Sequence, residues 1–240
     1  MIGDEEIQKL ATRYQTSAGN VRREYFQYLF LFYFYQQPKA KDIFFKGGTA
    51  LRIIYNSPRF SEDLDFSCGR IDYKEIENLI EDTLAQIEKE NVKFNLKEAK
   101  QTTGGFLAII SFEVFEQPID IKIEISLRKG EGKGEIMGVT NNDYVPPYNI
   151  ITVTEEQLVA EKIEALLNRK KPRDFYDLYF ILRSQMLSPK KKNILPKTLK
   201  ALIESDINFE VELKQFLPKS QWMIIKDFKN NLKREIQRYI

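Results

Sequence analysis

The spacing of apolar residues follows one of two periods over most of the first 150 positions. Segments in which every second residue is apolar predict strands, and segments with apolar residues three or four apart predict helices. Strands are predicted over residues 42–46, 63–67, 92–100, 105–115 and 119–128, and helices over 4–16, 19–36, 49–56 and 72–90. Residues 129–149 contain four glycines and two prolines, which predicts a loop with a short strand near 135–139.

After residue 150 the pattern is helical throughout. Thr154 and Gln157 stand three residues apart, as in the sequences that cap a helix N-terminus. Helices are predicted over residues 155–168, 172–186, 195–205, 209–216 and 220–238. We therefore expect an α/β domain over residues 1–150, with a mixed or antiparallel sheet, and an all-helical domain over residues 151–240.

The helix predicted over residues 19–36 is very rich in Phe and Tyr. Its aromatic residues recur around the whole helix, which predicts burial on most sides. A platform on which nucleic-acid bases stack is the alternative interpretation.

The composition limits the chemistry of the chain. Its 240 residues include one cysteine, Cys68, and no histidine. Intrachain disulfides, zinc sites of several Cys or His ligands and Ser-His-Asp triads are therefore excluded. Any metal must be held by oxygen, which favours magnesium, manganese or calcium. The longest apolar run, residues 28–35, cannot span a bilayer, and the N-terminus lacks a secretory pattern, so we expect a cytoplasmic protein without a membrane partner.

Charge is unevenly distributed along the chain. Residues 1–159 contain 19 Lys and Arg against 25 Asp and Glu, whereas residues 160–240 contain 18 against 10. An acidic first part and a basic second part are typical of a metal site beside a surface that binds a polyanion. Solvated basic helices are the plain alternative.

Asp63 and Asp65 are the first candidates for chemistry. Residues i and i+2 of a strand point to the same face, about 6–7 Å apart along the chain. Two carboxylates in that arrangement repel each other and can bind a divalent cation between them. An Asp-x-Asp pair on a solvated strand face is common, so the pair alone does not establish a site.

Gly47, Gly48 and Thr49 lie between a predicted strand and a predicted helix. Glycines at that point let the backbone approach a phosphate, and the start of the helix offers free N–H groups. Thr49 can add a hydroxyl contact. A tight turn also requires glycine, and it is the position of this turn before the Asp63–Asp65 strand that favours phosphate binding.

The strand over residues 119–128 offers a third carboxylate. Its isoleucines alternate with Asp120, Lys122, Glu124 and Ser126, which share the other face. Two-metal phosphoryl transfer uses a further carboxylate to complete the metal site or to accept the proton of the attacking hydroxyl. Glu124 is the first choice and Asp120 the second, with a solvated face as the alternative for each.

Together these residues resemble a known family. The glycine turn, the thirteen residues that follow Thr49 and the Asp63-Leu64-Asp65 triplet are similar to the signature of DNA polymerase β-like nucleotidyltransferases. The stretches Lys46–Leu51 and Arg59–Phe66 resemble, more narrowly, the AbiEii/MenT nucleotidyltransferase toxins of type IV toxin–antitoxin pairs. The lysine helix at 160–166 and the Arg-Asp-x-x-Asp segment at 173–177 match later motifs of that family.

The resemblance implies a metal-dependent transfer of a nucleotide from a nucleoside triphosphate to RNA, with the 3′ end of tRNA as acceptor. It implies Mg²⁺ or Mn²⁺ as cofactor, a cognate antitoxin as partner, and a site in the cleft between two domains. The implied catalytic residues are Asp63, Asp65, Glu124, Lys162 and Asp174, of which Asp63, Asp65 and Glu124 bind the metal. The implied nucleotide-binding residues are Lys46, Gly47, Gly48, Thr49, Arg59, Ser61, Arg169 and Asp177.

Other interpretations stay open at this level. Asp174, two residues after Pro172, could equally cap a helix, and Asp174 or Asp177 could form structural ion pairs with Lys162 or Arg169. The chain could also be an inactive nucleotide- or RNA-binding module. A transferase that modifies protein hydroxyls or small molecules is a further alternative.

Overall fold

The computed structural model describes residues 2–69, 71–113, 117–127 and 134–240. The chain divides into two compact units. The first contains the residues up to Asn56 together with Phe60–Val153, and the second contains Ser57–Arg59 together with Thr154–Ile240. No helix in these ranges is long and apolar enough to cross a membrane.

The first unit is built on a seven-stranded mixed sheet, which confirms the predicted fold class. The strands are β1 (Ile43–Lys46), β2 (Asp63–Cys68), β3 (Phe94–Thr102), β4 (Gly105–Phe112), β5 (Ile119–Ser126), β6 (Gly134–Val139) and β7 (Tyr148–Val153). Their order across the sheet is β3-β4-β5-β2-β1-β7-β6. The β2–β5 and β1–β7 pairs are parallel, and the other neighbours are antiparallel.

Strict alternation in β5 determines which of its residues lie on each face of the sheet. Its isoleucines are buried, and its polar residues lie on the opposite, more exposed face. The β2–β5 register places Asp63 beside Lys122 and Asp65 beside Glu124. The β1–β2 register places Lys46 opposite Asp65. Paired residues in neighbouring strands point to the same side, so these charged residues share one face of the sheet.

Four helices of the first unit are described: α1 (Asp4–Arg13), α2 (Ala18–Phe34), α3 (Gly47–Ile53) and α4 (Tyr73–Lys89). Ser17 caps α2 by accepting a hydrogen bond from the Asn20 N–H at 3.2 Å. Most aromatic side chains of α2 are buried, and the ring of Phe26 stacks on Phe112 with centroids 4.3 Å apart. This confirms α2 as a core helix and leaves little of it for base stacking.

The second unit is helical, as the apolar pattern predicts. Its helices are α5 (Glu155–Arg169), α6 (Pro172–Arg183), α7 (Leu195–Glu204), α8 (Phe209–Lys214), α9 (Trp222–Lys226) and α10 (Phe228–Gln237). Thr154 caps α5 through the Gln157 N–H at 3.2 Å, which confirms the predicted cap. The single helix predicted over residues 220–238 is wrong, because the backbone of Asp227 leaves helical geometry (φ −121°, ψ 39°) and divides it.

The prediction of a loop over residues 129–149 is also wrong in part. Residues 129–133 lie outside the described residues, as do residues 114–115 and 128 of two predicted strands. The short strand expected near 135–139 is present as β6. The strand β7 was not predicted, although it pairs with both β1 and β6. Short 3₁₀ helices at Pro38–Asp42 and Pro189–Ile194 were not predicted either.

Candidate active site

The strand β2 carries the predicted carboxylate pair. Asp63 and Asp65 are half-buried, whereas Leu64 and Phe66 between and after them are fully buried. Both carboxylates therefore emerge from the same face of the sheet, as the alternation of the sequence predicts. The apolar side chains on the opposite face hold the strand in place.

Gly47 stands directly in front of Asp65. Its φ of +82° lies in the region that favours glycine. A β-carbon added at Gly47 would lie 2.1 Å from Asp65 Oδ2, which is far inside van der Waals contact. The glycine is required here both by the backbone turn from β1 into α3 and by the close approach of the Asp65 carboxylate.

The hydroxyl of Thr49 makes a contact within the protein that the sequence does not predict. It is fully buried, and its Oγ1 donates to the backbone carbonyl of Asp63 at 2.5 Å. The hydroxyl is therefore committed to β2 and is not exposed for a phosphate. This bond instead fixes the start of the strand that carries the carboxylates.

The loop before β2 is hydrogen-bonded to a side chain of α2. The buried amide of Gln27 donates to the carbonyls of Ser61 and Glu62 at 3.0 and 3.1 Å. Ser61 is half-buried, two residues before Asp63. The role of Gln27 is not evident from the sequence, because its partners are backbone atoms more than thirty positions away.

Glu124 lies on the same face as Asp65 but is engaged by a neighbour on its own strand. Lys122 Nζ lies 2.5 Å from Glu124 Oε1. The hydrogen bond to Glu124 raises the pKa of Lys122, burial opposes this rise, and the charges of Glu124, Asp63 and Asp65 add to it. Lys122 is thus a further residue of the candidate site. The alternation of β5 predicts its position on this face but not its contact with Glu124.

Asp120, the second choice for the third carboxylate, belongs to a separate ion pair. Its two oxygens accept from Lys97 Nζ at 2.8 and 2.9 Å. The hydrogen bond from Lys97 lowers the pKa of Asp120. This pairing, together with the register that sets Glu124 beside Asp65, favours Glu124 over Asp120 as the third carboxylate.

The donors on this face fit a divalent cation held by oxygen. Asp63 and Asp65 present hard carboxylate ligands on one face, and the absence of a β-carbon at Gly47 accommodates the Asp65 carboxylate. Within the described ranges, no group of three or more Asp, Glu or Cys side chains is arranged to hold a metal ion. The predicted three-carboxylate site is therefore not assembled among the described residues, and Glu124 is paired with Lys122.

Arg59, Lys162 and Asp177 meet inside the second unit. Arg59 donates from Nε and Nη2 to the two oxygens of Asp177 at 2.7 and 3.0 Å, and Lys162 Nζ donates to Oδ2 at 2.8 Å. All three are buried, with Lys162 8% exposed and Asp177 1%. Burial acts to raise the pKa of Asp177, but the charges of Arg59 and Lys162 outweigh it and lower that pKa. This geometry favours the structural ion-pair alternative over direct contact with a nucleotide.

Asp174 and Arg169 form a second pair in this unit. Arg169 donates from Nε and Nη2 to the two Asp174 oxygens at 2.9 and 2.7 Å. Asp174 also accepts from the Lys171 N–H at 3.2 Å, in the first turn of α6. Asp174 therefore caps the helix, as the alternative interpretation predicts, and it holds Arg169 at the end of α5.

Comparisons with known proteins agree with this fold. The family model described as nucleotidyl transferase AbiEii toxin, type IV toxin–antitoxin system, matches residues 29–238. JHP933 from Helicobacter pylori is similar in structure, with a TM-score of 0.66, 20% identity and coverage of 93% of each chain. A candidate nucleotidyltransferase from H. pylori gives the same TM-score and identity and covers 93% of this chain and 95% of that one. No curated protein matches significantly.

The family match spans both units and contains the glycine turn, the carboxylate pair and the ion-paired residues of α5 and α6. At 20% identity, the two H. pylori structures establish the fold and carry no residue roles. The chain belongs to the AbiEii family of nucleotidyltransferase toxins from type IV toxin–antitoxin systems.

Proposed function

We propose that this nucleotidyltransferase moves a nucleotide from a nucleoside triphosphate to an RNA acceptor, with the 3′ end of tRNA as the expected acceptor. One observation carries the proposal. Asp63 and Asp65 present two carboxylates on one strand face, with Gly47 directly in front of Asp65. Phosphoryl transfer needs such a site, where charge on the phosphates can be neutralised and the reacting groups held in line.

Asp63 and Asp65 are the residues that would hold the cation. When bound, a divalent cation supplies charge neutralisation at the triphosphate. In this proposal the backbone N–H groups at the Gly47–Gly48 turn contact the phosphates, and Lys46, opposite Asp65, adds a positive charge on the same face. Glu124 accepts the proton of the attacking hydroxyl in this proposal, which requires that its carboxylate leave Lys122.

The second unit supports a polyanionic acceptor. Residues 160–240 contain 18 Lys and Arg against 10 Asp and Glu. At its C-terminal end, Lys192 lies over the ring of Tyr239, with Nζ 5.3 Å from the centroid. Arg183 and Arg238 lie near the same helix end, where each forms an ion pair with Glu235. Both arginine side chains are more than half exposed. Exposed cations grouped at one helix end are suited to the phosphates of RNA.

A labelling experiment tests the function. Each of the four nucleoside triphosphates, labelled at the α-phosphate, is incubated with the protein, Mg²⁺ and tRNA. We expect label on the tRNA with at least one triphosphate, and none with EDTA or with tRNA whose 3′ terminus has been oxidised by periodate. Label on protein or on a small molecule would show that the acceptor belongs to that class of molecule and is not RNA. Triphosphate binding without incorporation would indicate an inactive binding module.

Gly47→Ala tests the contact between the glycine turn and the carboxylate pair. We expect nucleotide transfer to fall by roughly tenfold or more, because the β-carbon displaces Asp65 and small misplacements of catalytic groups are costly. Gly104→Ala is the matched control, since a β-carbon there meets nothing within 4 Å and no positive φ is required. Unchanged transfer in Gly47→Ala, at equal melting temperature, would show that the position of Asp65 is not critical.

A further inference from the structure

Lys122 is placed by the sheet among three carboxylates. The parallel register of β2 and β5 sets Lys122 beside Asp63, and Glu124 beside Asp65. Because paired strand residues point to the same side, the four side chains share one face. Lys46 of β1, opposite Asp65, is the further cation that the register brings to this face.

The ammonium of Lys122 is directed into this group. Its Nζ lies 2.5 Å from Glu124 Oε1, and its charge also interacts favourably with Asp63 and Asp65. The positive charge of this lysine therefore reduces the electrostatic repulsion among the carboxylates, as a bound cation would. In the described part of the chain Glu124 is paired with this lysine, and no three-carboxylate metal site is assembled.

We propose that Lys122 is the internal counterion of this carboxylate face and that it competes with the divalent cation for it. In the metal-free protein, Lys122 offsets the charges of Asp63, Asp65 and Glu124. When a cation enters, Lys122 and the cation repel each other, and Glu124 is released from the ion pair. This inference rests on the proposed function, because it assumes that Asp63 and Asp65 bind a divalent cation.

The competition has a measurable size. A divalent cation a few ångströms from an ammonium group is repelled even in water, and dissolved salt screens part of this repulsion. Removal of the Lys122 charge is therefore expected to raise metal affinity by about tenfold.

The experiment is a titration with Mn²⁺ alone, followed by electron paramagnetic resonance of the free ion. Lys122→Met and Lys122→Gln are compared with the wild type and with Lys97→Met. Lys97 is a close match, because it pairs with Asp120 of the same strand β5 and is 44% exposed against 40% for Lys122. We expect about tenfold tighter Mn²⁺ binding in both Lys122 variants, and a change of less than about twofold in Lys97→Met.

A second measurement examines the metal-free protein. In EDTA, Lys122→Met should melt about 2 °C or more below the wild type, because three carboxylates lose a favourable interaction with a positive charge. Glu124→Gln added to Lys122→Met should recover part of that loss. Mn²⁺ binding by Lys122→Met that is equal to or weaker than that of the wild type would overturn the proposal. So would an EDTA melting temperature no lower than that of Lys97→Met.

These outcomes are separate from those of the labelling experiment. Tighter Mn²⁺ binding by the Lys122 variants without any labelled acceptor would support the counterion and refute the transfer reaction. Labelled tRNA together with unchanged Mn²⁺ affinity in the variants would refute only the counterion.

Discussion

Asp65→Asn is expected to lower nucleotide transfer by at least about a hundredfold while the protein stays folded. Electrostatic stabilisation at a metal-assisted phosphoryl centre contributes several kcal/mol, and each 1.36 kcal/mol is a factor of ten in rate. Asn keeps the shape of Asp but removes the charge that faces Gly47. The rate of label transfer to tRNA, measured with each triphosphate that supports the reaction, gives the size of the effect.

The fold should tolerate this change. The strand β2 is held by backbone pairing with β1 and β5 and by its buried Leu64 and Phe66, none of which involves the Asp65 carboxylate. Loss of one negative charge beside Asp63 also relieves repulsion, so we expect a melting temperature within about 3 °C of the wild type. The binding of Mn²⁺ should weaken in parallel with transfer.

Asp120→Asn is the matched control for this experiment. It removes one carboxylate from the same sheet, but from the separate pair with Lys97. The rate of nucleotide transfer should change by less than about twofold, because an exposed ion pair such as Lys97–Asp120 contributes little. If Asp65→Asn retained most of the wild-type rate, the assignment of the carboxylate pair as the metal site would be wrong.

The sequence predicts those parts of the site that depend on strand periodicity. Alternation alone places Asp63 and Asp65 on one face and puts Lys122 and Glu124 together on another strand. It does not give the register between β2 and β5, which brings Lys122 beside Asp63 and Glu124 beside Asp65. Register depends on non-local packing of the sheet, and a single sequence contains no direct record of it.

Contacts between distant residues account for the other differences. The phosphate role predicted for Thr49 assumed an exposed hydroxyl, but the backbone of Asp63 takes that hydroxyl. The strand β7 follows a segment rich in turn residues. Its partner β6 precedes it directly along the chain, whereas its partner β1 lies much earlier in the sequence. No glycine or proline stands at Asp227 to indicate the break between the two helices.

Asp177→Asn is expected to lower the free energy of unfolding by about 3–5 kcal/mol, the cost of breaking a buried ion pair from one side. Arg59 and Lys162 both donate to this carboxylate, and all three residues are buried. Without the negative charge, two cations are left close together in a setting of low polarity. Urea unfolding measures the loss. Asp120→Asn again serves as control and should cost at most about 1 kcal/mol, because its pair is half exposed.

The pH dependence separates this charge effect from a loss of packing. The pKa of Asp177 is lowered in the folded protein, while the unfolded carboxylate has its ordinary value of about 3.9. The unfolded state therefore binds the proton more readily, so the stabilisation is fully present above about pH 4 and is lost as pH falls through the folded pKa. The gap between wild type and Asp177→Asn should be constant from about pH 5 to 8 and shrink below about pH 4. A gap that persists undiminished in acid would mean that the asparagine disturbs packing and that the charge of Asp177 contributes little.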